Sequence, residues 1–166
     1  MCQKAIYPGT FDPVTYGHID IIKRALKIFE GVIVAVAHNP QKNPLFSVKE
    51  RVQMLKEATA DIDGVIIEDF DSLVVDYASS HRISVIIRGL RMLSDFEYEF
   101  QMALTNRKLS QDIETIFLMP SEQYSYISSK LLKETVRLGA DVSDFVPPYV
   151  QRKLKQKLGS SAGKHR

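Results

Sequence analysis

Apolar positions along the chain follow two periods that alternate from one end to the other. Ala5, Ile6 and Tyr7 read as the end of a buried strand, stopped by Pro8 and Gly9, because proline has no donor for a ladder and glycine tolerates positive φ. Next, Ile19, Ile22, Leu26 and Phe29 recur at spacings of three and four, one face of a helix that Gly17 and His18 open and Gly31 ends. Val32 to Ala37 is a β-branched apolar run of strand length, as in a parallel sheet covered on both faces. A turn-rich stretch from His38 to Leu45 follows, and Ser47 with Glu50 forms a capping box for a helix presenting Val48, Val52 and Leu55.

The alternation persists. Val65 to Glu68 predicts a third strand, Leu73 to Ser80 a short helix and Val85 to Ile87 a fourth strand. Ser94 and Glu97 predict a second capping box, on a helix reaching Leu109, and Ile116 to Met119 a fifth strand stopped by Pro120. Leu131, Leu132, Val136 and Leu138 mark a helix ended by Gly139 at C′, and Pro147 suits the first turn of a last helix through Leu158. Five strands alternating with helices predict an α/β fold: one Rossmann-like domain over residues 1–158, with a five-stranded parallel sheet and helices on both faces. Residues 159–166 read as a disordered tail.

Composition narrows the classes without changing that architecture. The chain has 166 residues, and 22 basic against 20 acidic side chains leave a formal charge of +2, which does not indicate a generic nucleic-acid binder. Cys2 is the one cysteine, read as a half-buried residue at the start of the first strand with no disulfide partner. No signal peptide or membrane-length apolar run is visible, so a soluble cytoplasmic protein without membrane partners is expected.

In an open parallel sheet, ligands bind beyond the carboxyl ends of the strands. Thr10 and His18 follow the first strand, Lys42 the second, Arg88 and Arg91 the fourth, and Ser128, Ser129 and Lys130 the fifth. Helix N-termini with hydroxyls, His18 and several cations suit phosphates, although neither a dinucleotide fingerprint nor a P-loop is present. A Ser–His–Asp hydrolase lacks its nucleophile elbow, and the four histidines lack zinc spacing, so no metal ligands are assigned. A phosphate nucleophile needs no general base, which favours group transfer between phosphates over hydrolysis.

The T-x-G-H tetrad Thr15–His18 follows G-T-F-D-P at Gly9–Pro13, and further motifs are I-I-R-G-L-R at Ile86–Arg91, D-F-E-Y-E at Asp95–Glu99, F-L-M-P-S at Phe117–Ser121 and I-S-S at Ile127–Ser129. Over roughly residues 3–158 the chain resembles the bacterial phosphopantetheine adenylyltransferase family of the nucleotidylyltransferase superfamily, with Thr15 at the first His of the H-x-G-H signature. The resemblance implies transfer of AMP from ATP, brought with Mg²⁺, to 4′-phosphopantetheine, giving dephospho-coenzyme A and pyrophosphate in coenzyme A synthesis. It assigns His18 to transition-state stabilisation, and Thr10, Lys42, Val74 and Arg88 to the acceptor. It assigns Thr10, Phe11, His18, Gly89, Leu90, Arg91, Glu99 and the run Tyr124, Ser125, Tyr126, Ile127, Ser128, Ser129 and Lys130 to ATP. It also implies a homohexamer, with coenzyme A as a candidate feedback ligand. Lys130 replaces a small hydroxyl residue and is expected to reach a phosphate directly or through water, while Tyr16 is expected to face outward. Nicotinate mononucleotide and glycerol 3-phosphate are the alternative acceptors, and a nucleotide-binding regulator without turnover is the reading from another class.

Overall fold

A computed structural model describes residues 3–159; Cys2 and residues 160–166 of the expected tail lie outside the described residues. The elements are β1 (Lys4–Gly9), α1 (Tyr16–Ala25), β2 (Gly31–Ala37), α2 (Val48–Ala58), β3 (Val65–Phe70), α3 (Val74–Ser80), β4 (Val85–Gly89), α4 (Leu93–Leu109), β5 (Glu114–Leu118), α5 (Ser129–Arg137) and α6 (Pro148–Leu158). The five strands are parallel in the order β3-β2-β1-β4-β5, so the order reverses between β1 and β4. In doubly wound sheets that reversal is where the crossover helices part and leave a crevice.

Period-two alternation sends the strands' side chains to two cores. Ala5, Tyr7, Val32, Val34, Val36, Val85 and Ile87 pack on the face carrying α1, α2, α5 and α6. Ile6, Ile33, Ala35 and Ile86 pack on the other face against Val75, Tyr77 and Ala78 of α3. No helix among the described residues is long and apolar enough to cross a membrane.

Several boundaries differ from the sequence pattern for identifiable reasons. Pro8 and Gly9 do not stop β1 but pair with Ala35 and Val36, and the Pro8 carbonyl accepts a hydrogen bond from Arg88 Nη1 at 2.8 Å. α1 opens one residue early, at Tyr16, because Thr15 is its N-cap. It ends at Ala25, so Phe29 lies beyond it and Gly31 begins β2. Arg88 and Gly89 sit on β4 itself. The second capping box does not form: Leu93 is already helical after Met92, which places Ser94 inside the first turn, and Asp95 pairs there with Arg91. Tyr16 does not face outward; its ring packs on the larger core beside Tyr124. Pro147 is the N-cap of α6 and Pro148 takes the first turn. The Ser47–Glu50 box forms as the sequence predicts, and Gly139 takes the left-handed conformation at C′ (φ 85°).

Candidate active site

The crevice at the β1/β4 reversal holds a cleft of about 500 Å³, continuous through Pro8, Gly9, Thr10, Lys42, Arg88 and Glu99 with a smaller pocket of about 200 Å³. Its floor is the turn after β1. Phe11 has a left-handed backbone (φ 50°) and its buried ring stands edge-on to Tyr7, with centroids 5.3 Å apart, and to His18, 5.0 Å apart. A Cβ at Gly9 would lie 2.9 Å from Phe11 Cζ, so only glycine lets the ring stand there. We expect Gly9→Ala to fold but to lower turnover by about tenfold, since the displaced ring backs His18; steady-state rates at saturating substrate check this.

His18 is the third residue of α1 and completes an unusual capping box. Its N–H donates to Thr15 Oγ1 (3.3 Å), and its Nδ1 accepts from the Thr15 N–H at 3.0 Å. An Nδ1 held as acceptor places the neutral ring's proton on Nε2. Burial pushes the pKa of His18 down to about 3, with the charges of Arg91 and Arg88 adding to the effect, so the ring is a neutral donor at physiological pH. Burial likewise raises the Tyr7 hydroxyl well above its ordinary value, beyond what Arg88 and Arg91 offset.

Two arginines line the cleft, each fixed by a carboxylate. Arg88 donates from Nε and Nη2 to Glu99 at 2.8 and 2.6 Å, a bidentate pair with Glu99 buried. Burial opposes the charge on Arg88, but the Glu99 hydrogen bonds and charge outweigh it and raise the pKa. Arg91 reaches Asp95 Oδ2 at 3.2 Å and the Ile127 carbonyl at 2.7 Å, linking β4 to the entry of α5. At that entry Ser128 is the N-cap, accepting from the Leu131 N–H at 3.0 Å, which leaves its own hydroxyl proton free to donate. The Ser129 hydroxyl donates to the Pro13 carbonyl at 2.8 Å and ties α5 to the turn after β1.

Most residues singled out from the sequence meet in this crevice. Thr10, Phe11, His18, Lys42, Arg88, Gly89, Arg91 and Glu99 line the larger cleft, together with Tyr124, Ile127, Ser128, Ser129 and the exposed Lys130. Val74 lines the smaller pocket with Phe70 and Met102. Leu90, Ser125 and Tyr126 line neither: the Leu90 N–H bonds the Leu118 carbonyl, the Ser125 hydroxyl donates to the Glu122 carbonyl, and Tyr126 meets Phe145 edge-on.

Some polar residues in and around the site carry no assignment from the sequence, among them Lys133, Asp12, Arg51 and Asn106. Lys133, three residues along α5 from Lys130, lines the cleft with its ammonium 2.6 Å from Asp12 Oδ2. Asp12 is buried and also accepts from the N–H groups of Leu45 and Phe46, at 2.8 and 2.9 Å. Arg51 is buried beneath the turn, and Asn106 brings a buried amide to the smaller pocket. The i, i+3 spacing from Lys130 is the signal that could have found Lys133; Asp12 stands inside the G-T-F-D-P motif, and nothing local marks Arg51 or Asn106.

A parallel sheet that reverses at a helix start, with a neutral histidine donor sharing one cleft with two arginines, defines the nucleotidylyltransferase class. The cytidylyltransferase-like family model matches residues 6–135. The chain is 57% identical over 157 residues to a phosphopantetheine adenylyltransferase of Caldanaerobacter subterraneus subsp. tengcongensis, covering 95% of this chain and 98% of that protein. The chain therefore belongs to the phosphopantetheine adenylyltransferase family. Among solved structures it resembles a proposed nicotinate-nucleotide adenylyltransferase from Vibrio parahaemolyticus, with a TM-score of 0.70 at 16% identity, covering 94% of this chain and 93% of that one. It also resembles a bifunctional NMN adenylyltransferase/ADP ribose pyrophosphatase from Francisella tularensis, complexed with AMP and a manganese ion. That likeness has a TM-score of 0.70 at 16% identity and covers 99% of this chain and 53% of the other.

Proposed function

We propose that the chain transfers the adenylyl group of ATP to 4′-phosphopantetheine, reversibly, by direct attack and without a covalent intermediate. An acceptor phosphate oxygen bonds to the α-phosphorus as the bond to the bridging β-phosphate oxygen breaks, and pyrophosphate leaves. The observation that carries the reading is the neutral, Nε2-protonated His18 lining the larger cleft, which joins the smaller pocket through Thr10, Lys42 and Arg88. It can donate to charge developing on the α-phosphate and has no proton to remove from a nucleophile that is already anionic.

The smaller pocket suits the acceptor: Lys42 and Arg88 flank its mouth for the phosphate, and Val74, Phe70 and Met102 offer an apolar wall to the arm. The larger cleft, bounded by Arg91, Ser128, Ser129 and Lys130, suits the nucleotide, whose phosphates meet the N-terminus of α5. A divalent cation, Mg²⁺ in this reading, arrives with the nucleotide. The cleft carboxylates Asp12, Asp95 and Glu99 are each paired with a cation, and no group of three metal-ligating side chains occurs among the described residues. The exposed apolar side chains of α4, among them Leu93, Phe100 and Leu104, support self-association, and a homohexamer working in the cytoplasm, with coenzyme A as feedback ligand, completes the reading.

The test is pyrophosphate release from ATP and Mg²⁺ with 4′-phosphopantetheine, nicotinate mononucleotide or glycerol 3-phosphate. Release with the first alone supports the assignment; release only with another acceptor would move it, and binding of ATP without release would leave a nucleotide-binding regulator. A pH profile tests the role of His18. Its depressed pKa keeps it neutral from about pH 5 upward, so the acid limb of kcat/KM for the acceptor should fall near pH 6, about where a phosphate monoester dianion takes up a proton to become the monoanion. The same limb is expected in His18→Gln; a limb that disappears there would assign the ionisation to the histidine.

A further inference from the structure

The loop from His38 to Phe46 carries Lys42, yet the 3₁₀ turn that holds Lys42 is built from local bonds only. The Lys42 N–H meets the Asn39 carbonyl, the Asn43 N–H meets the Pro40 carbonyl, and both asparagines are left-handed, with φ of 39° and 50°. Where Lys42 stands is therefore set by whatever holds the loop's two ends.

Two buried residues of opposite charge hold both ends to the turn after β1. Arg51, 1% exposed, donates from Nη1 to the carbonyls of Thr10 and Ala37, each at 2.8 Å, from Nη2 to His38 at 3.2 Å and from Nε to Phe46 at 3.1 Å. One planar guanidinium thus joins the ends of β1 and β2 to the far end of the loop. From the other side Asp12 takes the N–H groups of Leu45 and Phe46 on its two oxygens and the ammonium of Lys133 on Oδ2. Further attachments are a bond from the His38 N–H to the Phe70 carbonyl at 3.1 Å, the His38 Nε2–Asp69 Oδ2 pair at 2.7 Å, the buried Phe46 ring and a bond from Lys157 Nζ to the Leu45 carbonyl at 3.2 Å.

We propose that Arg51 and Asp12 are positioning residues for the transfer step, a clasp that fixes Lys42 relative to Thr10 and so sets where the acceptor phosphate sits. The clasp makes no hydrogen bond to the β4 residues or the 121–130 segment, and its one contact on the nucleotide side is the Asp12–Lys133 pair, which Arg51→Lys leaves in place, so in that variant the nucleotide keeps most of its contacts. The inference rests on the reading of the site as a transferase to a phosphate acceptor.

The test compares wild type, Arg51→Lys, Asp12→Asn, Lys42→Ala and the double variant Arg51→Lys/Lys42→Ala. Lysine keeps the charge but cannot span four carbonyls from one nitrogen. Arg51→Lys should raise KM for 4′-phosphopantetheine by about tenfold and leave KM for ATP within about threefold. The double variant should bind acceptor no worse than Lys42→Ala alone, because Arg51 acts through Lys42. A purely structural role would instead lower the melting temperature and the active fraction with both KM values unchanged. That result, equal rises in both KM values, or additive losses in the double variant would overturn the clasp. Asp12→Asn gives the same readout if Arg51→Lys fails to fold. If wild type releases pyrophosphate with no acceptor, the reading of the activity fails. The clasp is then judged by calorimetric affinity for 4′-phosphopantetheine, which both variants should weaken.

Discussion

Replacing His18 with alanine is expected to lower kcat by about 10²- to 10³-fold while ATP binding changes by no more than about threefold. The asymmetry follows from where the ring stands. Nδ1 is committed to the Thr15 N–H, so Nε2–H is the group left to face the cleft, and a hydrogen bond from it strengthens as negative charge grows on the transferred phosphoryl oxygens. In the proposed reaction ground-state ATP would have many other partners along the cleft, which Arg91 and the start of α5 also line. Alanine also removes the cap on Thr15, and two further variants separate that loss from the chemistry. Glutamine and glutamate at this third helical position both complete an ordinary capping box, so His18→Gln and His18→Glu should melt near wild type. Glutamate, however, brings a negative charge to the phosphate site and should be less active than alanine despite its better cap. Single-turnover rates, ATP titration by calorimetry and thermal melts measure the three effects independently. Equal losses in kcat and ATP affinity for His18→Ala would refute the assigned role.

The periodicity that revealed the fold worked because each strand is buried on both faces and each helix on one, so apolar spacing and secondary structure coincide. Thr10, His18, Lys42, Arg88, Arg91 and Ser128 could be placed on one rim from the sequence because each stands at a strand end or helix start, and a parallel sheet puts all such points on the same edge. Local rules misled where a distant partner intervened. Pro8 looks like a strand end until Arg88, eighty residues on, supplies the hydrogen bond to its carbonyl. Ser94 and Glu97 have capping-box spacing, but Asp95 is held by Arg91 and the helix has already begun. Asp12 and Arg51 were illegible for a related reason. Apart from Lys133 on Asp12, their partners are backbone groups of other segments, a kind of contact that leaves no residue pattern.

Arg88→Met should destabilise the protein by about 3–5 kcal/mol, well beyond what loss of one surface cation would do. The cause is the residue left behind. Glu99 is 8% exposed and accepts both Arg88 hydrogen bonds, so methionine would leave a largely buried ionised carboxylate without its cation. At about 2–4 °C per kcal/mol for a chain of this size, the melting temperature should fall by roughly 6–20 °C. Adding Glu99→Gln removes the stranded charge, and the double variant should recover a large part of that loss. Activity should behave differently. Arg88 lines both pockets and, in the proposed reaction, its guanidinium holds the acceptor phosphate, so no change at Glu99 can restore it. The double variant is therefore expected to melt near wild type and still show acceptor KM raised by about 10²-fold. Glu99→Gln alone should lie between: Arg88 keeps its bond to the Pro8 carbonyl but loses the charged partner that fixes its plane, and acceptor KM rises less. Thermal melts with initial rates over the four proteins of the cycle decide it. Recovery of acceptor binding together with stability in the double variant would mean that Arg88 serves the fold and not the phosphate.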